Sequence, residues 1–128
     1  MNYNKVKKTN RHFFFPEVAE AIGVNEAIML NHLIFWIVVN IKSNQTKHLG
    51  RTWTYNSVVD FKPYFPYWST SQIRRILKSL VDQGIIIEGN FNKSKYDKTK
   101  WYALNDEKGL LDIYNPFDDT ELWEDCYR

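Results

Sequence analysis

Read as a pattern of apolar and polar positions, the chain alternates between stretches that must be packed and stretches that suit water. Residues 1–12 show no apolar periodicity and read as a flexible basic arm. Phe13, Phe14 and Phe15 form a run that needs burial. Pro16 suits the first position of a helix over 17–22, and Gly23 stands where such a helix would stop. Asn25 is placed to cap a second helix, with Val24 and Met29 as a hydrophobic staple around its start. That helix runs to about Lys42. Ile28, Met29, Leu33, Phe35, Trp36, Ile37, Val38, Val39 and Ile41 leave it almost no polar face beyond residue 32, the pattern of a helix covered on more than one side. The cover comes either from the chain itself or from a second copy in a homodimer packed through residues 25–42.

Residues 43–50 read as a polar loop, after which Thr52, Trp53, Thr54 and Tyr55 are strand formers. Asn56 or Ser57 caps a short helix to Lys62, and Pro63 and Pro66 force a turn. Ser69-Thr70-Ser71-Gln72 matches the S-x-x-Q capping box, and Ile73, Ile76, Leu77 and Leu80 follow as one apolar helical stripe that Gly84 ends. Ile85, Ile86 and Ile87 begin a strand. A lysine-rich stretch to Lys98 follows, and a second strand returns over 99–104 through Trp101 and Tyr102, giving a hairpin with a long charged tip. Residues 52–55 supply its third strand. The predicted fold is mainly α with a small antiparallel β-sheet, in the element order of a winged helix-turn-helix domain.

At 128 residues, 44% hydrophobic and 16% aromatic, the chain is one domain and too apolar for disorder. Its single cysteine, Cys126, excludes an internal disulfide framework and a Cys-based zinc site, and fits a cytoplasmic setting. The N-terminus lacks the apolar core of a secretory signal. The longest strictly apolar run, 33–39, falls well short of the ~20 residues that span a bilayer, so no membrane partner is expected. The net charge of +2 hides an asymmetry: 15 Lys and Arg against 7 Asp and Glu up to Leu104, then 2 against 8. The chain thus divides into an arm (1–12), a basic body (13–104) and an acidic aromatic tail (105–128). A basic body suggests a polyanion as partner.

The helix that starts at Ser69 carries the most informative chemistry. Its periodicity puts Ser71, Arg75, Lys78 and Asp82 opposite the apolar stripe, with Arg74 on the flank. In a helix-turn-helix the start of this second helix enters the major groove. Ser71, Gln72, Arg74 and Arg75 then lie nearest the base edges, where Arg matches guanine and Gln matches adenine. Ser69, Thr70 and the first helical amides suit a phosphate. On the hairpin, Asn92, Lys93, Lys95, Lys98 and Lys100 suit phosphate or minor-groove contact, and Lys78 suits a phosphate. The plainer alternative is a solvated amphipathic helix and a soluble loop. Lys5, Lys7, Lys8 and Arg11 either trail into a minor groove or form a free arm. Tyr64, Phe65, Tyr67 and Trp68 read as packing within a turn rather than as a base-stacking platform. His12, His32 and His48 are scattered, His32 inside an apolar helix. With no metal-ligand spacing, phosphate-cradling glycine loop or linked triad, no catalytic residue, cofactor or metal is expected. In the tail, Asp118, Asp119, Glu121, Glu124 and Asp125 surround Leu122, Trp123 and Tyr127. That segment packs on the body, docks on a protein partner, or covers the basic face.

Arg51-Thr52-Trp53-Thr54-Tyr55-Asn56-Ser57, Phe65-Pro66-Tyr67-Trp68-Ser69, Gln72-Ile73-Arg74-Arg75 and Lys100-Trp101-Tyr102-Ala103-Leu104 together resemble winged-helix DNA-binding and replication-initiation-type proteins of bacterial phages and mobile elements. The resemblance covers about residues 25–105. It implies double-stranded DNA binding, with the Ser69 helix as reader and residues 93–98 as the wing, in replication or transcription regulation. The alternative is a non-enzymatic protein-interaction module that uses the apolar helix and the acidic tail.

Overall fold

The computed structural model describes residues 1–6 and 11–114. Pro16 occupies the first turn of α1 (Pro16–Ile22), where a missing N–H costs nothing. Gly23, at φ 110°, turns the chain directly into α2 (Val24–Lys42). One residue therefore serves both helices, because glycine adopts this left-handed conformation without a Cβ penalty. The helix thus starts two residues earlier than Asn25 would set, and Asn25 is not its cap. Val24 lies inside it and is 51% exposed, so no staple with Met29 forms.

From Glu26 to Ile41 no residue of α2 is exposed. Met29, Leu30, Leu33, Ile34, Ile37 and Val38 enter the main core. The cover is supplied within the chain by α1, the sheet and α4 (Thr70–Asp82). By length and composition α2 could also cross a bilayer, but half of its apolar window is buried inside the fold. Of the three phenylalanines before α1, Phe13 packs against the core, whereas Phe14 and Phe15 stay 38% exposed. The expectation that all three are buried fails because Pro16 starts the helix at once and leaves them on its rim. The ring of Phe15 still meets Tyr114 edge-on at 5.1 Å.

The sheet has four antiparallel strands in the order β1-β2-β4-β3: β1 (Lys47–His48), β2 (Arg51–Asn56), β3 (Ile86–Gly89) and β4 (Lys100–Leu104). Residues 43–50 are therefore not simply a loop. The turn at Leu49 and Gly50, with φ of 55° and 73°, folds β1 onto β2. Such a turn usually announces itself by Asn-Gly or Asp-Gly, and Leu-Gly does not. As expected, β2 pairs with β4, with Tyr55 opposite Trp101.

Side chains on β4 alternate between two packed faces. Tyr102 and Leu104 join the main core, while Trp101 and Ala103 meet Trp53, Ile87 and Phe91 on the outer face. Gly89 admits this second cluster, since a Cβ there would lie 2.8 Å from the Trp53 ring.

Ser57 caps α3 (Val58–Phe61) in a capping box with Asp60, and Pro63 follows one residue past its C-cap. The packed body continues beyond residue 104 through α5 (Glu107–Tyr114), whose Tyr114 is buried. The Glu107 carboxylate accepts the Thr52 amide at 3.1 Å, and Arg51 donates to the carbonyls of Leu104 and Asn105. Packing on the body thus holds for 107–114. Lys7 and Lys8 of the arm, and the acidic and aromatic positions from Asp118 to Tyr127, lie outside the described residues. The arm is not free to residue 12. His12 makes a short hydrogen bond to the Tyr67 hydroxyl, and its ring lies 4.9 Å from that of Phe65.

His32 is fully buried among Phe61, Tyr64 and Phe65. Burial first, and the positive charge of His12 second, push its pKa down to about 3. Burial lowers that of His12 in the same direction. The unfolded chain binds the His32 proton near pH 6.5 and the folded chain does not. Stability is therefore full above pH 6.5 and falls as the pH drops toward 3, by at most about 1.4 kcal/mol per pH unit for one proton. The urea midpoint should fall between pH 7 and pH 5, and His32→Phe, which keeps a packed ring, should flatten that fall. An unchanged pH slope in the variant would refute it.

Candidate nucleic-acid interface

Along α4 the buried stripe of Ile73, Ile76, Leu77 and Leu80 leaves Ser71, Arg74, Arg75, Lys78 and Asp82 exposed. The helix start is closed on itself. The Ser69 hydroxyl accepts the Gln72 amide at 3.1 Å, and the Gln72 side-chain oxygen accepts the Ser69 amide at 2.8 Å. Ser69 and Gln72 are thus committed to the capping box, and Thr70 is half-buried. A bidentate Gln72–adenine contact would compete with this cap. Ser71, Arg74 and Arg75 face water without such a commitment.

Two of the predicted phosphate ligands are already paired. Lys78 meets Asp82 at 2.6 Å and Lys100 meets Glu88 at 2.8 Å, on exposed side chains. Pairs of this kind contribute at most about 1 kcal/mol, so a phosphate can displace the carboxylate. Arg74, Lys78 and Lys100 come together around a groove of about 410 Å³ between α4, Val58 of α3 and the β3–β4 hairpin. Glu88 and Tyr102 line its sheet side, and burial, followed by the Glu88 charge, raises the pKa of the Tyr102 hydroxyl and keeps it protonated. Ser71 and Arg75 lie outside this groove.

The loop between β3 and β4 is braced rather than free. The Asn92 amide group donates to the carbonyls of Asp97 (3.0 Å) and Thr99 (2.7 Å), while its oxygen accepts the Trp101 indole N–H at 2.7 Å. The Asn92 side chain is thus committed to clamping the loop, and a nucleic-acid contact would compete with these bonds. Asn90 accepts the Asn92 amide at 2.9 Å. Asp97 accepts the Thr99 amide at 2.9 Å, which lowers the Asp97 pKa. A signal that could have shown a braced loop is the spacing of Asn90, Ser94 and Asp97, whose side chains accept the backbone amide two residues on, whereas the long-range bonds of Asn92 have no such local signal. Lys93, Lys95 and Lys98 are exposed and take part in no ion pair among the described residues. The Lys95 ammonium lies 5.3 Å above the Tyr96 ring.

Among the described residues no cluster of His, Cys, Asp or Glu could hold a metal ion. His48 stacks on Phe91 at 4.3 Å, far in role from the buried His32. In the aromatic turn Phe65 and Trp68 are buried and Tyr64 is half-buried, as packing of that turn requires, whereas Tyr67 stays 54% exposed. Comparison with protein-family models, with curated proteins and with solved structures finds no match.

Asn92→Ala removes three hydrogen bonds at once and leaves the Trp101 indole N–H unpaired. It should cost about 1–3 kcal/mol in denaturant unfolding and speed amide hydrogen exchange across residues 93–99. Exchange at the wild-type rate would show that the loop is held by something else.

Proposed function

We propose that the chain binds double-stranded DNA as a winged helix-turn-helix domain, acting in replication or transcription regulation of a bacterial phage or mobile element, in a cytoplasmic setting. In this reading α3, the turn over 62–69 and α4 form the helix-turn-helix, and β3, β4 and the loop between them form the wing. The observation that carries the reading is the pair Arg74 and Arg75. They sit exposed near the start of α4, Arg75 opposite the buried stripe and Arg74 on its flank, without an ion pair among the described residues, beside a hairpin whose Lys93, Lys95 and Lys98 are equally uncommitted there.

Their roles follow from chemistry. Arg74 and Arg75 offer the bidentate fork that matches guanine O6 and N7, and Ser71 can meet either a donor or an acceptor. The wing lysines neutralise phosphates. Lys78 and Lys100 join them by exchanging Asp82 and Glu88 for phosphate oxygens. Gln72 supports the helix start instead of reading a base. No catalytic step, cofactor or metal is part of this function.

Fluorescence anisotropy against a random duplex at two salt concentrations tests the proposal. Replacing both arginines (Arg74→Ala, Arg75→Ala) should weaken binding at least tenfold and reduce the slope of log affinity against log salt by up to about two. Unchanged affinity would discard the DNA reading in favour of a protein-interaction module.

A second substitution separates stability from binding. Gln72→Glu preserves the capping box and suits the positive end of the helix dipole, yet it places a carboxylate beside the arginines. Thermal stability should hold or rise slightly while duplex affinity falls. If affinity is retained, this end of α4 does not face the phosphates.

A further inference from the structure

We propose a second nucleic-acid surface, on the outer face of the sheet, that stacks an unpaired base of single-stranded DNA on Tyr55. The ligand class rests on the DNA reading above; the stacking geometry is separate from it.

The outer face carries a row of rings in fixed positions. Trp53 donates its indole N–H to the His48 carbonyl at 2.9 Å, and Trp101 donates to Asn92 at 2.7 Å, so neither ring is free to turn. Phe91 meets both edge-on, at 4.8 and 5.4 Å. His48 lies nearly parallel on Phe91, with ring planes 6° apart, and meets Trp101 edge-on at 5.5 Å. On the Tyr55 side the cluster is open. Tyr55, the register partner of Trp101, lies 4.5 Å from that ring with its plane tilted by 30°, and is 50% exposed. Trp101 therefore supports Tyr55 from below and leaves a rigid aromatic surface toward water.

A duplex hides its base faces, whereas an unpaired base offers one for stacking, which is worth roughly tenfold or more in affinity per base. The charges agree with a nucleic acid as occupant. The loop crosses this face through Phe91 and Asn92, and Lys93, Lys95 and Lys98 follow directly, none of them ion-paired among the described residues. Glu88, the one carboxylate on the four strands, pairs with Lys100 beside the groove on the opposite face. Asp97, the acid of the loop, keeps its charge but is outnumbered there by the three lysines. Because Trp101 and Tyr102 are neighbours that point to opposite faces of β4, the α4 groove and the Tyr55 platform stand back to back. A strand separated from its complement could thus be held on one face while the duplex is held on the other.

The test measures anisotropy of the full chain with labelled oligo(dT), oligo(rU) and duplex. It compares wild type, Tyr55→Ala, Tyr55→Phe and the Arg74→Ala, Arg75→Ala double variant, with tryptophan quenching as a second readout. Tyr55→Ala should lose about tenfold or more on oligo(dT) and keep duplex affinity. Tyr55→Phe, which retains the ring, should bind like wild type, and the arginine variant should lose duplex binding more than oligo(dT) binding. Should Tyr55→Ala unfold, Tyr55→Thr removes the ring while keeping a strand former. The proposal is overturned if a folded ring-less variant binds oligo(dT) as wild type does, or loses duplex and oligo(dT) alike. It is also overturned if wild type binds duplex but not oligo(dT), or if oligo(rU) binds as well as oligo(dT). Tyr55-dependent oligo(dT) binding with no duplex binding would uphold it and overturn the winged-helix reading instead.

Discussion

A nineteen-residue helix with no exposed side chain from Glu26 to Ile41 cannot lie on a surface, and the rest of the fold is arranged to wrap it. Each apolar side chain left in water would forgo roughly 1.5–3 kcal/mol. The α1 segment, the sheet, the aromatic turn and α4 are the wrapping, and each reaches α2 with its own apolar face. This explains why α4 has so clean a division. One side is used up in covering α2, so its charged residues collect on the other, and Arg74 and Arg75 end together in water. The basic face is in this sense a by-product of the core.

The second constraint is β4, which is buried on both sides from Trp101 to Leu104. Tyr102 and Leu104 close the main core while Trp101 and Ala103 anchor the outer aromatic cluster. A strand fixed from two sides fixes the loop that precedes it. The Trp101 indole holds Asn92, and Asn92 holds the carbonyls of Asp97 and Thr99. The lysines of that loop are consequently carried on a braced frame, which lowers the conformational entropy that binding must overcome.

Polar groups sort into those the fold has used and those it has left. Ser69, Gln72, Asn92, Arg51 and Glu107 hold backbone groups that would otherwise lack partners. Lys78 and Lys100 sit in exposed pairs of small worth. Arg74, Arg75, Lys93, Lys95 and Lys98 have no such work among the described residues. A function based on charge must fall mainly on this last set, which is smaller than the set of basic and amide residues that the sequence presents.

Much of this was legible in the chain. Pro16, the Ser69–Gln72 box, the stripe from Ile73 to Leu80 and the pairing of 52–55 with the returning strand all follow from signals that act within a few residues. So do the near absence of a polar face on the second helix beyond residue 32 and the burial of His32. The β1 strand was not legible, since Leu49-Gly50 lacks the residues that favour its turn. Nor was the docking of His12 on Tyr67, 55 residues away, or the hold of Arg51 on Leu104, 53 residues away. By itself the sequence determined where helices begin, which faces are apolar and how the charge is divided. Only the tertiary structure decided which asparagine braces a loop, which lysine is paired and which tyrosine keeps an open ring face. The reason is physical: periodicity and capping are energies of near neighbours along the chain, while a polar side chain's partner depends on what the folded core brings beside it.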